Sequence, residues 1–142
     1  MNDSTFSPAG ARIARNIRPA IAACESLDSH LRTWGVSLPD PAPTIASAYE
    51  HSLLYGEHTW GGALYWITSY AKQRNYAYGD EWKQERAAGK FARLDASWDE
   101  HTAYIKTAQN LIAPLQHSQL QALAGAVDVA GPRIVVNNPL PW

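Results

Sequence analysis

This 142-residue sequence has very little cysteine and almost no net charge. Cys24 is the single cysteine, so no disulfide can form within the chain and a cysteine-based zinc cluster is excluded. Because Cys24 falls on an apolar stripe, we expect it to be a small buried hydrophobic residue. The 12 basic and 13 acidic side chains give a formal net charge of −1. This balance provides no basic excess for nucleic acid or for an anionic membrane surface.

Long apolar runs and the common catalytic signatures are also missing. No run is long enough to span a bilayer, and the opening "MNDSTFSPAGARIARN" lacks the apolar core of a signal peptide. As written, the chain is therefore expected to be soluble and cytoplasmic, with no membrane partner. No nucleophile elbow, phosphate-binding loop, dinucleotide fingerprint or pair of zinc histidines on a helix occurs. Carboxylates are present, but nothing marks the flanking pair that an ordinary glycosidase needs.

Apolar positions at helical spacing dominate what the sequence does contain. With 46% hydrophobic residues, the chain can bury a core. Between Ala11 and Trp34 the apolar side chains recur every three or four residues, which predicts an amphipathic helix. Pro19 predicts a kink or a restart of that helix, and Gly35 predicts its end. Thr44 is expected to cap a second helix.

The clearest pattern is a heptad repeat in the second half of the chain. Apolar positions spaced by seven predict a seam along a long helix from Asp80 to Ala113, packed against at least one other helix. Pro114 is expected to oppose its continuation, with a further helical turn or two beyond it. The seam consists of Phe91, Leu94, Trp98, His101, Ile105, Ala108, Ile112 and Leu115. The predicted fold is thus mostly α, a helical bundle with long amphipathic helices.

The sequence changes character at its C-terminal end. In "RIVVNNPLPW", the β-branched run Ile134–Val136 predicts a strand. A single strand has no stable existence without a partner strand, and none is evident in this sequence. We therefore expect Arg133–Val136 to be a truncated β-strand stub, unpaired or loosely attached.

The stretch "LLYGEHTWGGALYW" is the best candidate for chemistry. Its glycines break any helix, so it predicts a turn that carries Glu57, His58, Thr59 and Trp60. A neutral imidazole in such a turn can bind a metal. The other histidines show no ligand spacing, so on residue chemistry alone a structural, hydrogen-bonded His58 is the favoured interpretation.

Two motifs together give the sequence a family resemblance. "LLYGEHTWGG", followed much later by "RIVVNNPLPW", resembles bacterial proteins related to glycoside hydrolase family 38, the α-mannosidases. That family joins a β/α catalytic domain, a helical middle domain and β-sandwich domains. The sandwich region opens with an Asn-Pro-Leu-Ser-Trp-like turn, which 138–142 matches. The resemblance implies a helical middle domain over 1–128, and over 129–142 a linker with the first strand of a missing β-sandwich domain.

The resemblance also assigns site residues. In the family, a His-His-Asp segment of the helical domain reaches the active site, and Glu57-His58-Thr59 occupies the analogous place. His58 then corresponds to a zinc or other divalent-metal ligand, while Glu57, Thr59 and Trp60 are expected to contact carbohydrate. Thr59 replaces the aspartate that contacts the sugar.

The resemblance also implies that this chain carries only part of the active site. The catalytic nucleophile and the remaining metal ligands belong to the family's preceding domain. The chain is thus expected to be a fragment of a metal-dependent glycosidase, inactive and without a metal when isolated, whose partners are the flanking domains and a carbohydrate. The alternative is a non-catalytic helical module that binds carbohydrate or another protein.

Overall fold

The computed structural model of the chain describes residues 8–57, Gly62 and residues 79–139. Within these residues the chain forms four helices: α1 (Pro8–Thr33), α2 (Ala42–Tyr55), α3 (Asp80–Ala87) and α4 (Ala92–Ala126). No strand occurs in these ranges. The prediction of a mostly helical bundle is confirmed.

Three helices, α1, α2 and α4, enclose the main core. Each contributes apolar side chains at the spacing that the sequence shows, and Ile21, Ala48 and Ile105 are completely buried. Burying this apolar surface stabilises the bundle, because most of the stability of protein helices comes from packing an apolar face rather than from helix propensity. The cluster consists of Ile17, Ile21, Cys24, Ile45, Ala48, Tyr55, Ile105, Ala108 and Ile112.

The heptad seam of α4 is confirmed and extends further than predicted. Phe91, Leu94, Ile105 and Ile112 are buried, and Trp98 is half-buried. Gln119 follows Ile112 by seven residues and is only 1% exposed. A polar side chain thus occupies the next position of the seam.

A helix begins at Asp80 as predicted, but the predicted single helix from Asp80 to Ala113 is wrong in two respects. The chain leaves the helical path at Ala88–Phe91, where Gly89 has φ +73°, a left-handed conformation that glycine adopts without steric cost. At the other end, α4 runs through Pro114 to Ala126. Pro114 is exposed, and the buried seam on both sides of it holds the helix together despite the missing N–H group.

Two predicted helix boundaries also need correction. α1 continues through Pro19 without a restart, one of the two outcomes predicted there. It ends at Thr33, and Gly35, the predicted end signal, follows two residues later with φ +80°. Thr44 does not cap α2, because the helix already begins at Ala42. Asp40 Oδ1 accepts a hydrogen bond from Ala42 N at 3.0 Å, so an aspartate before the helix satisfies its first amide.

The segment after α4 lies on the bundle in an irregular conformation. Arg133 donates hydrogen bonds to the carbonyl oxygens of Ala124 and Val129, both at 2.9 Å. Val135 packs against Leu27, Leu31 and Leu123, while Ile134 is 92% and Val136 82% exposed. The predicted strand is not formed in 133–139, and the described residues contain no strand with which Arg133–Val136 could pair. Among the described parts of the chain, no helix is both long and apolar enough to cross a membrane.

Candidate functional site

The Glu-His-Thr-Trp motif begins where α2 ends. Gly56 follows the last residue of α2, and the amide of Glu57 donates to Leu54 O at 3.4 Å. Glu57 is half-buried. His58, Thr59 and Trp60 lie outside the described residues, so their predicted roles are not tested by the geometry.

The far end of the motif is attached to α4. The amide of Gly62 donates a 2.7 Å hydrogen bond to Ser97 Oγ, and the indole N–H of Trp98 donates to Gly62 O at 3.1 Å. Gly62 is buried. Both of its backbone polar groups are therefore satisfied by consecutive side chains of one helix. Glu57 thus lies at the end of α2, and Gly62 lies beside the first third of α4.

A cluster of histidine and tyrosine rings lies beside this attachment. His101, one turn after Ser97, is buried, and its ring centroid is 5.9 Å from those of both Tyr55 and Tyr104. His51 lies with its ring 6.1 Å from Tyr104. His101 thus has the core position that the heptad seam predicts. The rings join α2 to α4 next to the motif.

The two tyrosines of this cluster remain protonated at neutral pH. Burial raises the pKa of Tyr55 above its ordinary value of 10.0. The pKa of Tyr104 is raised mainly by the negative charge of Glu100, to which its hydroxyl donates a hydrogen bond at 3.3 Å. These phenols can donate hydrogen bonds, but they are poorly suited to act as bases.

Arg18 and Gly56 fix the conformation at the end of α2. Arg18 Nε donates to Ser52 Oγ at 3.2 Å, and a Cβ atom at position 56 would lie 2.6 Å from Arg18 Nη2. Glycine therefore leaves room for the guanidinium group near the C-terminal carbonyl groups of α2, where a positive charge is favourable. A groove of about 520 Å³ runs beside this contact and is lined by Arg15, Arg18 and Tyr55, among others.

The described residues do not form a metal site. No three histidine, cysteine, aspartate or glutamate side chains within 8–57, Gly62 and 79–139 converge in a way that could hold an ion. The donors inside these ranges therefore do not by themselves make up a zinc site. His58 lies outside these ranges.

Sequence reasoning missed a second feature, an acidic cavity at the opposite end of α2. Glu25, Asp28 and Asp40 line it. Two of these carboxylates come from α1 and the third from the connector that precedes α2. The only local signal in the sequence was Asp40 between two prolines, which predicts a turn but no ligand.

Comparisons with known proteins add no family assignment. Neither a protein-family model, nor a curated protein, nor a solved structure matches this chain significantly.

Proposed function

We propose that this chain is the helical middle region of a glycosidase related to glycoside hydrolase family 38, and that its Glu57–Gly62 turn forms one wall of the carbohydrate site. The proposal is supported by the resemblance of "LLYGEHTWGG" and "RIVVNNPLPW" to that family. One structural observation carries it further. Gly56 and Gly62, which flank the motif, are both held on the bundle, Gly56 at the end of α2 and Gly62 by hydrogen bonds to Ser97 and Trp98 of α4.

Anchoring matters because a carbohydrate site needs fixed polar groups. Two hydrogen bonds to Gly62 fix the point at which the motif ends, and in this proposal a fixed end reduces the entropy lost when a sugar binds. In the proposed site, Trp60 presents a flat apolar face to a sugar ring, and Glu57 and Thr59 supply hydrogen-bonding groups. His58 supplies one ligand to a divalent metal, most simply zinc.

The chain itself would supply one metal ligand at most. A catalytic zinc usually has about three protein ligands and one open position. The remaining ligands and the nucleophile belong, in this proposal, to a preceding β/α domain. The isolated chain is therefore expected not to hydrolyse aryl mannosides.

The second candidate is a non-catalytic helical module that binds carbohydrate. Thr59 favours it, because this neutral hydroxyl stands where the mannosidases have an aspartate that contacts the sugar. A threonine still donates and accepts hydrogen bonds, but it provides no negative charge. In that case the turn would bind sugars without a reaction.

Metal content and hydrolysis in the protein that contains this chain separate the two candidates. The test compares His58→Ala with a matched control, His117→Ala, which changes an exposed histidine on α4. Loss of bound metal and of aryl mannoside hydrolysis in His58→Ala alone supports the glycosidase. Unchanged metal content and activity in His58→Ala would show that the histidine is structural.

Sugar binding by the isolated chain provides the second measurement. Titration with mannose oligosaccharides is followed for Trp60→Ala and for the control Trp34→Ala, which removes a side chain 61% exposed at the end of α1. Weaker binding in Trp60→Ala only, without hydrolysis in the parent protein, supports the non-catalytic module. The absence of both binding and hydrolysis contradicts both candidates.

A further inference from the structure

The acidic cavity lies between α1, the connector before α2 and the first turns of α2 and consists of two adjoining parts. The outer part has a volume of about 460 Å³ and the inner part about 180 Å³. Asp28, Asp40 and Pro41 line both parts. Gln119 of α4 lines the inner part, and Glu25 and Tyr49 line the outer part.

Two buried oxygen atoms at this cavity have no hydrogen-bond donor among the described residues. Gln119 is 1% exposed and donates through Nε2 to Cys24 O at 3.1 Å, which leaves its Oε1 without a donor. Asp28 accepts from Arg32 at 2.7 Å through Oδ2, and its buried Oδ1 also has no donor. Buried acceptors in native proteins are nearly always paired with protein, water or a ligand. Both oxygens belong to residues that line the inner part, and the described residues pair neither of them.

The charges around the cavity do not balance. Three carboxylates line it, those of Glu25, Asp28 and Asp40. The guanidinium group of Arg32 compensates one of them and is held by further hydrogen bonds to the carbonyl oxygens at positions 38 and 39. Three negative charges and one positive charge leave −2. A ligand with two positive charges would neutralise the site.

The remaining walls favour an organic cation over a bare metal ion. Ile45, Ala46 and Pro41 provide an apolar surface in the outer part. A metal ion gains nothing from such a surface, whereas methylene groups are stabilised there. Tyr49 donates a 2.8 Å hydrogen bond to Glu25 and holds that carboxylate in place.

We propose that the acidic cavity binds an aliphatic diamine. One ammonium group enters the inner part and donates hydrogen bonds to Gln119 Oε1 and Asp28 Oδ1. The second ammonium group lies in the outer part near Glu25 and Asp40, and the methylene chain contacts the apolar wall. An ammonium group has three donors, which suits a place where two acceptors lack one. The site lies at the opposite end of α2 from Gly56, and the helix is roughly 20 Å long, so the proposal is independent of the proposed glycosidase function.

The test is calorimetric titration of the 142-residue chain with 1,4-diaminobutane at low ionic strength. Two variants remove charge while keeping the local hydrogen bonds: Asp40→Asn still accepts from Ala42 N, and Glu25→Gln still accepts from Tyr49. Gln119→Met removes the unpaired acceptor at similar volume. The matched control is Glu50→Gln, which removes an exposed carboxylate of α2 that lines neither part of the cavity. Thermal unfolding of each variant verifies that it is folded.

We expect saturable 1:1 binding that each of the three cavity variants weakens by about tenfold or more, as the loss of one charge-assisted hydrogen bond implies. Glu50→Gln should bind like the wild type, and n-butylamine or Mg²⁺ should bind at least about tenfold more weakly than the diamine. Three results would overturn the proposal: no binding at about 10 mM diamine, equal affinity in the cavity variants and the control, or a crystal structure grown with the diamine in which only water reaches the two oxygens.

Discussion

Replacing Pro114 by alanine should stabilise this protein. Pro114 lies inside α4, which has 35 residues, and its side chain is exposed. A proline in a helix interior costs about 3 kcal/mol relative to alanine, because it lacks the N–H group and crowds the preceding turn. Alanine also makes the unfolded chain more flexible, which offsets roughly 0.4–1 kcal/mol of this gain. The net expectation is an increase of about 2 kcal/mol in the free energy of unfolding.

Urea unfolding followed by circular dichroism at the helical band measures this change. For a dependence of about 2 kcal/mol per molar urea, the midpoint should rise by about 1 M. The matched control is Pro43→Ala. Pro43 occupies the first turn of α2, where the missing N–H group has no helical partner in any case. That variant should change the stability by less than about 0.5 kcal/mol.

The comparison of the two prolines also tests whether α4 is continuous through Pro114. If Pro114→Ala is no more stable than wild type, or behaves like Pro43→Ala, then Pro114 stands at a helix end. The boundary at Ala113 predicted from the sequence would then be the correct one, and the continuous α4 would be refuted.

Three further predictions concern the core, the thiol and the anchored turn. Ile105→Ala should lower the free energy of unfolding by about 2–5 kcal/mol, because the side chain is completely buried, whereas the exposed neighbour Lys106→Ala should change it by less than about 0.5 kcal/mol in the same urea assay. Burial raises the pKa of Cys24 from 9.0 to about 11. The contribution of the buried thiol to the free energy of unfolding is therefore complete below pH 9 and is lost as the pH rises toward 11. A folded chain whose thiol reacts rapidly with a disulfide reagent at pH 8 would contradict this. Trp98→Phe should lower the free energy of unfolding by about 1 kcal/mol and speed proteolysis near Gly62, because the indole N–H that donates to the carbonyl oxygen of Gly62 is lost. Unchanged cleavage would show that this hydrogen bond does not hold the turn.

The buried faces of the helices could be predicted from the amino-acid pattern. Apolar side chains every three or four residues in α1, and every seven residues in α4, are the direct consequence of 3.6 residues per turn. Ile21, Ile105 and Ile112 are buried for that reason. The end of α1 was equally readable, because Gly35 adopts a positive φ that glycine reaches without steric cost.

Helix boundaries away from such signals depended on packing. Pro19 and Pro114 both favour a break locally, yet the helices run through them, since the buried residues on either side contribute more than a proline costs. Gly89 is the opposite case. A glycine is tolerated within a helix, but here its φ of +73° ends α3, and Phe91, which follows it, packs against Leu94 and Trp82.

The packing of the helices alone determined which polar groups come into contact. The motif from Glu57 to Trp60 was recognisable in the sequence, but the attachment of Gly62 to Ser97 and Trp98 joins positions 35 and 36 residues apart, which no local pattern encodes. The acidic cavity is a stronger example, because Gln119 donates to a carbonyl oxygen 95 residues away. Helical periodicity specifies which side of each helix is apolar, whereas the packing of α1, α2 and α4 determines which carboxylates and amides share a cavity.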